Sequence, residues 1–163
     1  MKLIKVSFIL NGKPVDAFTK HNRTLCDFLH DDMRMISVKK GCGTGNCGSC
    51  TIIMDNKPVT SCTMLTLQAN GREIITLEGL GTPEKPHPIQ EAFVKFNAIQ
   101  CGFCIPGMML TAVCLLRENP NPSDEEIKKA LSGNICRCTG YVEQIQAIKE
   151  AARLLSSKDK GMN

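Results

Sequence analysis

The stretch GCGTGNCGSC, residues 41–50, places three cysteines and four glycines within ten positions. Its cysteines are Cys42, Cys47 and Cys50, spaced C-x4-C-x2-C, and a fourth cysteine, Cys62, follows at a greater distance. Four thiolates with this spacing are typical of a loop that wraps around a two-iron cluster. We therefore predict that these four cysteines bind a [2Fe-2S] cluster.

The four glycines of this stretch are expected to shape the loop around the metal. A cluster with bridging sulfides is wide, so the backbone has to curl around it and direct its N–H groups at the sulfur atoms. Glycine adopts the positive φ angles that such a curl requires, because it has no β-carbon. We predict this role for Gly41, Gly43, Gly45 and Gly48.

The same glycines also spell G-x-G-x-x-G from Gly43 to Gly48, the pattern of a dinucleotide-binding loop. That interpretation needs a strand before the loop, a helix after it and an acidic residue about 20 positions on. Here the following segment TIIM, residues 51–54, has the composition of a strand, and the last glycine lies between two candidate ligands. The context therefore favours the metal site over a nucleotide.

A second group of cysteines forms two short pairs in the C-terminal half. Cys101 and Cys104 occur in QCGFC, and Cys136 and Cys138 occur in NICRCTG. The spacing alone allows either a second [2Fe-2S] cluster or tetrahedral zinc, whose structural sites use C-x2-C pairs separated by a loop. A C-x-C pair is unusual for zinc, and a thioredoxin-like use of the first pair lacks its βαβ setting. The remaining cysteines, Cys26 and Cys114, are predicted to pack in the core as small hydrophobic residues.

Charge and hydropathy exclude several classes of protein. The chain of 163 residues has a formal net charge of +4 with every thiol neutral, and two filled clusters at about −2 each would bring it near zero. No run of basic residues with interleaved aromatics suggests nucleic acid, and no apolar run reaches the roughly 18 residues of a membrane span. The N-terminus lacks the pattern of an export signal. We expect a cytoplasmic protein, in which paired cysteines bind metal rather than form disulfides.

The chain divides into a half of strands and turns, a short linker and a helical half. Strands are predicted over residues 3–10, 15–18, 51–54 and 73–80, with a helix over residues 25–33 and a short helix after Cys62. Helices are predicted over residues 89–99, 107–117, 124–132 and 141–157. Glycine and proline interrupt both periodicities around GTPEKPHP, so we place an α+β chain in three parts: residues 1–79, a linker over 80–88, and residues 89–163.

Taken together and in order, GCGTGNCGSC with Cys62, QCGFCIPG and GNICRCTGY resemble the small iron-sulfur subunit of the molybdenum hydroxylases. This is the family of xanthine dehydrogenase and aldehyde oxidoreductase, and the resemblance runs from about Leu3 to Leu155. It implies an N-terminal β-grasp domain of the plant-type ferredoxin kind and a C-terminal four-helix bundle domain. It also implies that the second group of cysteines binds a second [2Fe-2S] cluster.

The resemblance further implies an electron-transfer subunit of an oxidoreductase complex, with no catalytic residue of its own. Its partners would be a large subunit that binds a molybdenum-pterin cofactor and a medium subunit that binds FAD. Electrons would pass from molybdenum to the helical-domain cluster, then to the ferredoxin-domain cluster, then to the flavin. In the family, the glutamine before the first helical-domain cysteine and the last cysteine of C-R-C-T-G approach the pterin, and these match Gln100 and Cys138.

The chain departs from the family pattern in its first helix. Members often have L-L-x-x-L-R where this sequence has LCDFLH, with Cys26 and His30 in place of the leucine and the arginine. A free-standing ferredoxin with two clusters is the alternative to a fixed subunit. Such ferredoxins are usually acidic, which steers them to their partners, and the near-neutral balance of this chain favours the subunit.

Overall fold

The computed structural model describes residues 3–160 and the side chains of residues 3–157. It has one five-stranded sheet and five α-helices within the described residues, so the predicted α+β class is confirmed. The strands are β1 Ile4–Leu10, β2 Lys13–Thr19, β3 Thr51–Met54, β4 Lys57–Thr60 and β5 Glu73–Ile75. The α-helices are α1 Leu25–Asp27, α2 Pro88–Lys95, α3 Ile105–Glu118, α4 Asp124–Leu131 and α5 Val142–Lys160.

The sheet has the strand order β2-β1-β5-β3-β4. Both hairpins turn on residues with positive φ, Asn11-Gly12 between β1 and β2 and Asp55-Asn56 between β3 and β4. These are the residue types that the tight turns of hairpins prefer. Strand β5 runs parallel to β1 and antiparallel to β3, so it joins the two hairpins into one sheet.

Two expectations for this half need correction. The predicted strand over residues 73–80 ends at Ile75, because the chain turns into the 3-10 helix Leu77–Gly79. The predicted helix over residues 25–33 is α1 followed by a π-helical segment, Phe28–Asp32. Its start is as expected, since Thr24 Oγ1 accepts a hydrogen bond from the Asp27 N–H at 3.1 Å.

All four helices predicted for the second half are present, with bounds that differ by a few residues. The predicted capping box begins α4, where the Ser123 N–H donates to the Glu126 carboxylate at 2.7 Å and the Glu126 N–H donates to Ser123 Oγ. Helix α3 is buried over most of its circumference, which explains its nearly continuous apolar sequence. Within residues 3–160 no helix is both long and apolar enough to span a bilayer.

The buried hydrophobic side chains fall into two clusters. One packs β1 against α1 and the π-helical segment around Phe8, Phe28 and Leu29. The other packs the four later helices around Phe93, Met108 and Ile148, and also receives Ile53 from β3. The boundaries predicted near residues 79 and 88 remain a prediction, and residues 1–2 and 161–163 of the outer ranges lie outside the described residues.

The cysteine loop, residues 41–50, lies between these two clusters: Cys50 belongs to the first, and Gly48 contacts helix α3 at Gly107. Gly107, in the first turn of α3, lies so close to the Gly48 carbonyl oxygen that a β-carbon on Gly107 would overlap it. A β-carbon on Gly48 would in turn overlap the Gly133 carbonyl oxygen. Glycine is therefore required on both sides of this contact, which sets the position of residues 41–50 relative to the helices.

Candidate metal centres

The structure brings the first four predicted ligands together as two pairs. The Cys42 N–H donates to Cys47 Sγ at 3.4 Å, and the thiols of Cys42 and Cys47 interact. The thiols of Cys50 and Cys62 also interact with each other, and both residues are buried. All four are free thiols, as are the other six cysteines. Two adjacent pairs are what a two-iron core requires, because each tetrahedral iron takes two thiolates beside its two bridging sulfides.

The four glycines of the loop do not all act in the same way. Gly43, Gly45 and Gly48 have φ angles of 70°, 81° and 70°, as the sequence predicts. Gly41 is different, because its φ is not in the positive range and the reason for glycine is space. A β-carbon there would lie 2.8 Å from Cys47 Sγ and 3.5 Å from the Phe103 ring.

The exposed end of this loop favours a thiolate. The Thr44 side chain and its N–H, which lies 3.4 Å from Cys42 Sγ, both donate to that sulfur. These donors, together with hydrogen bonds from Cys47, lower the pKa of Cys42 to about 5. The buried end behaves in the opposite way, because burial raises the pKa of Cys62 to about 11. A bound metal ion reverses this preference, since it deprotonates the thiols that coordinate it.

Cys26 has a neighbour that sequence reasoning missed. It is fully buried, as predicted, but its thiol interacts with that of Cys50, one of the candidate ligands. This interaction lowers the pKa of Cys26 and, together with burial, raises the pKa of Cys50. Once Cys50 is a metal-bound thiolate it can only accept, so the Cys26 S–H becomes the donor. No spacing rule predicts this contact, since residues 26 and 50 meet only through the packing of α1 against the Ser61–Thr63 turn.

The second group of cysteines also forms two pairs, although its members come from two distant segments. Cys101 Sγ and Cys138 Sγ lie 3.5 Å apart, and the thiols of Cys104 and Cys136 interact. Two thiolates on one tetrahedral metal at about 2.3 Å are separated by about 3.8 Å, so this geometry is close to that of shared coordination. Burial raises the pKa of Cys104 to about 12. Cys114 lies in the core of α3, away from either group, as predicted.

Cys136 is surrounded by hydrogen-bond donors. The Thr139 hydroxyl lies 3.1 Å from Cys136 Sγ and the Thr139 N–H lies 3.3 Å from it. Burial alone would raise the pKa of Cys136, but these donors outweigh it and lower the pKa. The Cys136 N–H does not point at sulfur, and donates instead to the Tyr141 hydroxyl at 2.8 Å. Neither Thr139 nor Tyr141 was singled out from the sequence.

Two hydrogen bonds join the segments that carry the two groups of cysteines. The Ile135 N–H donates to the Cys47 carbonyl oxygen at 2.9 Å, and Asn134 Nδ2 donates to the Gly48 carbonyl oxygen at 3.2 Å. We call these two bonds the junction. It places the residue before Cys136 against a candidate ligand of the first group.

Glutamine side chains flank the second group in two different environments. Gln100 is exposed and immediately precedes Cys101, whose sulfur lies 3.5 Å from that of Cys138. Gln144 is fully buried in α5, where its Nε2 donates to the Ala98 carbonyl oxygen at 2.8 Å and so holds the segment that leads to Cys101. The Gln144 Oε1 has no hydrogen-bond partner within the described part of the chain.

Comparison with known proteins identifies iron-sulfur relatives of this chain. Residues 76–149 match the family described as a [2Fe-2S] binding domain. The chain is 48% identical to the nicotinate dehydrogenase small FeS subunit of Eubacterium barkeri, over 93% of this chain and 96% of that protein.

Solved structures show the same similarity in three dimensions. A chain of quinoline 2-oxidoreductase from Pseudomonas putida 86 superimposes with a TM-score of 0.93 at 42% identity, over 98% of both chains. The aldehyde oxidoreductase from Desulfovibrio desulfuricans matches with a TM-score of 0.91 at 39% identity, over 94% of this chain but only 17% of its own. In that enzyme the matching part is a small portion of a much longer polypeptide.

Proposed function

This chain belongs to the family of small iron-sulfur subunits of the molybdenum hydroxylases, and we propose that it is the electron-carrying subunit of such a complex. Its large partner subunit would hold a molybdenum-pterin cofactor and its medium partner subunit would hold FAD. When bound, two [2Fe-2S] clusters supply one-electron carriers between those two cofactors. The chain itself performs no substrate chemistry, so one such subunit suits complexes as different as those that act on nicotinate, quinoline or an aldehyde.

The observation that carries the proposal is the pairing of eight thiols into four close pairs. The first cluster is assigned to Cys42, Cys47, Cys50 and Cys62, and the second to Cys101, Cys104, Cys136 and Cys138. Donors from Thr44 and Thr139 accompany one ligand in each group, which suits sulfurs that carry extra negative charge after reduction.

The two groups each have an accessible end and a buried end. At the second group, Cys101, Cys138 and Gln100 are exposed together, which supports the role of Gln100 and Cys138 in contacting the pterin. At the first group, Cys42 and the loop around Thr44 are exposed, so we assign this side to the FAD-binding partner. The junction lies between the two groups, where neither partner needs to reach.

The same proposal includes the layout of the chain. Residues 1–79 form a β-grasp domain of the plant-type ferredoxin kind, residues 80–88 a linker and residues 89–163 a four-helix bundle domain. The two separate clusters of buried side chains support this division. The linker also supports it, because the backbones of Thr82 and Lys85 are hydrogen-bonded to each other in a turn within the linker.

Metal analysis of the anaerobically purified complex tests the assignment. We expect about four iron and four acid-labile sulfide per small subunit, and two distinguishable signals in the electron paramagnetic resonance (EPR) spectrum after reduction. Stoichiometric zinc without visible absorption would contradict it. A matched pair of variants sharpens the test: Cys104→Ser should remove the signal of the second cluster, whereas Cys114→Ser, at another buried cysteine of the same helical core, should leave both signals in place.

A further inference from the structure

Tyr141 has a backbone conformation that aromatic residues rarely adopt. Its φ angle is +66°, in the left-handed region where a β-carbon is unfavourable. It immediately precedes α5 and follows Gly140, a residue that could adopt this region without strain. A bulky residue is found at such a position when the surrounding structure holds it there for a reason.

The Tyr141 hydroxyl supplies that reason, because it makes two hydrogen bonds within one short segment. It accepts from the Cys136 N–H at 2.8 Å and donates to the Asn134 carbonyl oxygen at 3.0 Å. The ring itself packs at the edge of the helical core and is half-buried. The side chain therefore extends back from the start of α5, and its hydroxyl contacts the backbone of Asn134 and of Cys136.

Those three residues are the ones that form the junction. The Asn134 side chain bonds to the Gly48 carbonyl oxygen, the Ile135 N–H bonds to the Cys47 carbonyl oxygen, and Cys136 is a proposed ligand. Tyr141 is bonded to the backbone on both sides of Ile135. The Asn134 carbonyl oxygen and the Ile135 N–H belong to the same peptide group. The bond from the Tyr141 hydroxyl to that oxygen therefore fixes the direction of the Ile135 N–H, which donates to Cys47.

Removing the hydroxyl would leave two groups unsatisfied in a half-buried place. The Cys136 N–H and the Asn134 carbonyl oxygen have no other hydrogen-bond partner among the described residues. An unpaired buried group of this kind costs free energy comparable to that of a lost hydrogen bond, which favours a change of backbone orientation that restores a partner. For the Asn134 carbonyl oxygen the nearest change is a rotation of the peptide that it shares with the Ile135 N–H, which moves that N–H away from Cys47.

We propose that Tyr141 is a positioning residue for electron transfer, whose hydroxyl holds residues 134–136 so that the junction stays formed. The proposal rests on the proposed function, because it concerns the connection between two clusters. It assigns to Tyr141 no contact with substrate, pterin or iron. What the residue contributes is a fixed orientation of the backbone between the two metal sites.

The test is Tyr141→Phe in the complete complex, which keeps the ring and removes only the hydroxyl. We expect iron content and both EPR signals to be retained. Hydrogen exchange of the peptide that contains Ile135 should become faster, by about tenfold or more, since its amide loses a fixed acceptor. The midpoint potential of the second cluster should shift while that of the first stays constant, and transfer of an electron from the second cluster to the first should slow.

Ser132→Ala is the matched control. It removes a hydroxyl that donates to the Lys129 carbonyl oxygen at 2.8 Å, two residues before Asn134, without touching residues 134–136. It should change neither the exchange of Ile135 nor either potential. The same shifts in both variants would mean that any disturbance near α4 has this effect, which would overturn the specific role of Tyr141.

The wild-type complex supplies a second measurement that does not depend on folding of the variant. If its Ile135 amide exchanges as fast as an exposed one, the junction is not formed and the inference is wrong. If Tyr141→Phe leaves exchange and potentials unchanged while four irons are present, the inference fails and the proposed function stands. If the wild-type complex lacks the two clusters, the proposed function itself fails.

Discussion

The two proposed metal sites each hold four cysteine ligands, but different parts of the chain position them. The first draws three of its four ligands from one stretch of ten residues, and its shape depends on the backbone of Gly43, Gly45 and Gly48. The second draws its ligands from two segments separated by α3 and α4, and side chains such as Tyr141 hold them in place. A site built from backbone is visible in the sequence as a motif, whereas a site held by side chains is only partly visible.

The sites also resemble each other in one respect that neither motif reveals. Each has a threonine, Thr44 or Thr139, that donates to a cysteine two or three residues before it. Such donors favour the more negative, reduced state of a cluster. Thr44 is exposed, so water can also donate to the sulfur beside it. Thr139 is half-buried, where fewer water molecules can replace its hydroxyl.

We expect the largest effect on stability at Gly48, where the loop of the first site contacts residues 133–134, next to the second. Gly48→Ala should destabilise the protein by several kcal/mol, since it combines about 1–2 kcal/mol for an alanine at positive φ with about 1–3 kcal/mol for overpacking. The added β-carbon would overlap the Gly133 carbonyl oxygen and approach Asn134. Thermal unfolding of the purified complex, together with iron analysis, measures the loss.

Gly71→Ala separates the two causes. Gly71 has nearly the same φ, +73°, but a β-carbon there meets nothing within 4 Å. It should therefore show the backbone cost alone, with both clusters retained. Equal losses of stability in the two variants would mean that the close approach of Gly48 to residues 133–134 carries no energetic weight.

The parts that could be predicted from the sequence are those encoded by neighbouring residues. The hairpin at Asn11-Gly12, the cap at Thr24 and the capping box at Ser123 each depend on a few consecutive positions. Strand β4 was not predicted, because Lys57–Thr60 has no alternation and contains a proline, which an edge strand tolerates. Strand β5 is shorter than predicted because Thr76, although apolar residues follow it, bonds to the Asn11 side chain and ends the pairing.

The same rule separates what the sequence predicts about the metal sites from what it does not indicate. Eight ligands could be proposed from spacing, because cysteines are scarce and their intervals are characteristic. The contact of Cys26 with Cys50, the hydroxyl of Tyr141 and the space required at Gly41 all depend on residues distant in sequence. Such contacts are set by how elements pack, which no local pattern records.

Cys26→Ala examines the first site without touching its ligands. Both clusters should remain, and the protein should lose about 1–3 kcal/mol of stability through the cavity left in a fully buried position. The midpoint potential of the first cluster should become more negative, because Cys50 loses the S–H donor. Cys114→Ala creates a similar cavity in the helical core and should leave both potentials unchanged. Loss of iron in Cys26→Ala would show that the ligand assignment is wrong.

The smallest expected effect comes from removing the matched hydroxyls, Thr44→Val in the first site and Thr139→Val in the second. Each change keeps the shape of the side chain and the backbone N–H donor to sulfur. It removes the hydroxyl donor, together with the bond that this hydroxyl accepts from Asn46 Nδ2 at 3.1 Å in the first site or from the Tyr141 N–H at 3.5 Å in the second. Thr139→Val should lower the midpoint potential of the second cluster by on the order of 40 mV, given that about 59 mV corresponds to a tenfold change in a one-electron equilibrium. Thr44→Val should lower that of the first cluster by less, because water can replace the hydroxyl beside the exposed Cys42. Redox titration monitored by EPR resolves both signals in the same sample.

A larger shift in Thr44→Val than in Thr139→Val would contradict this order. It would mean that the first site, built from the backbone of a loop, is more sensitive to its hydroxyl donor than the second site, which side chains hold in place.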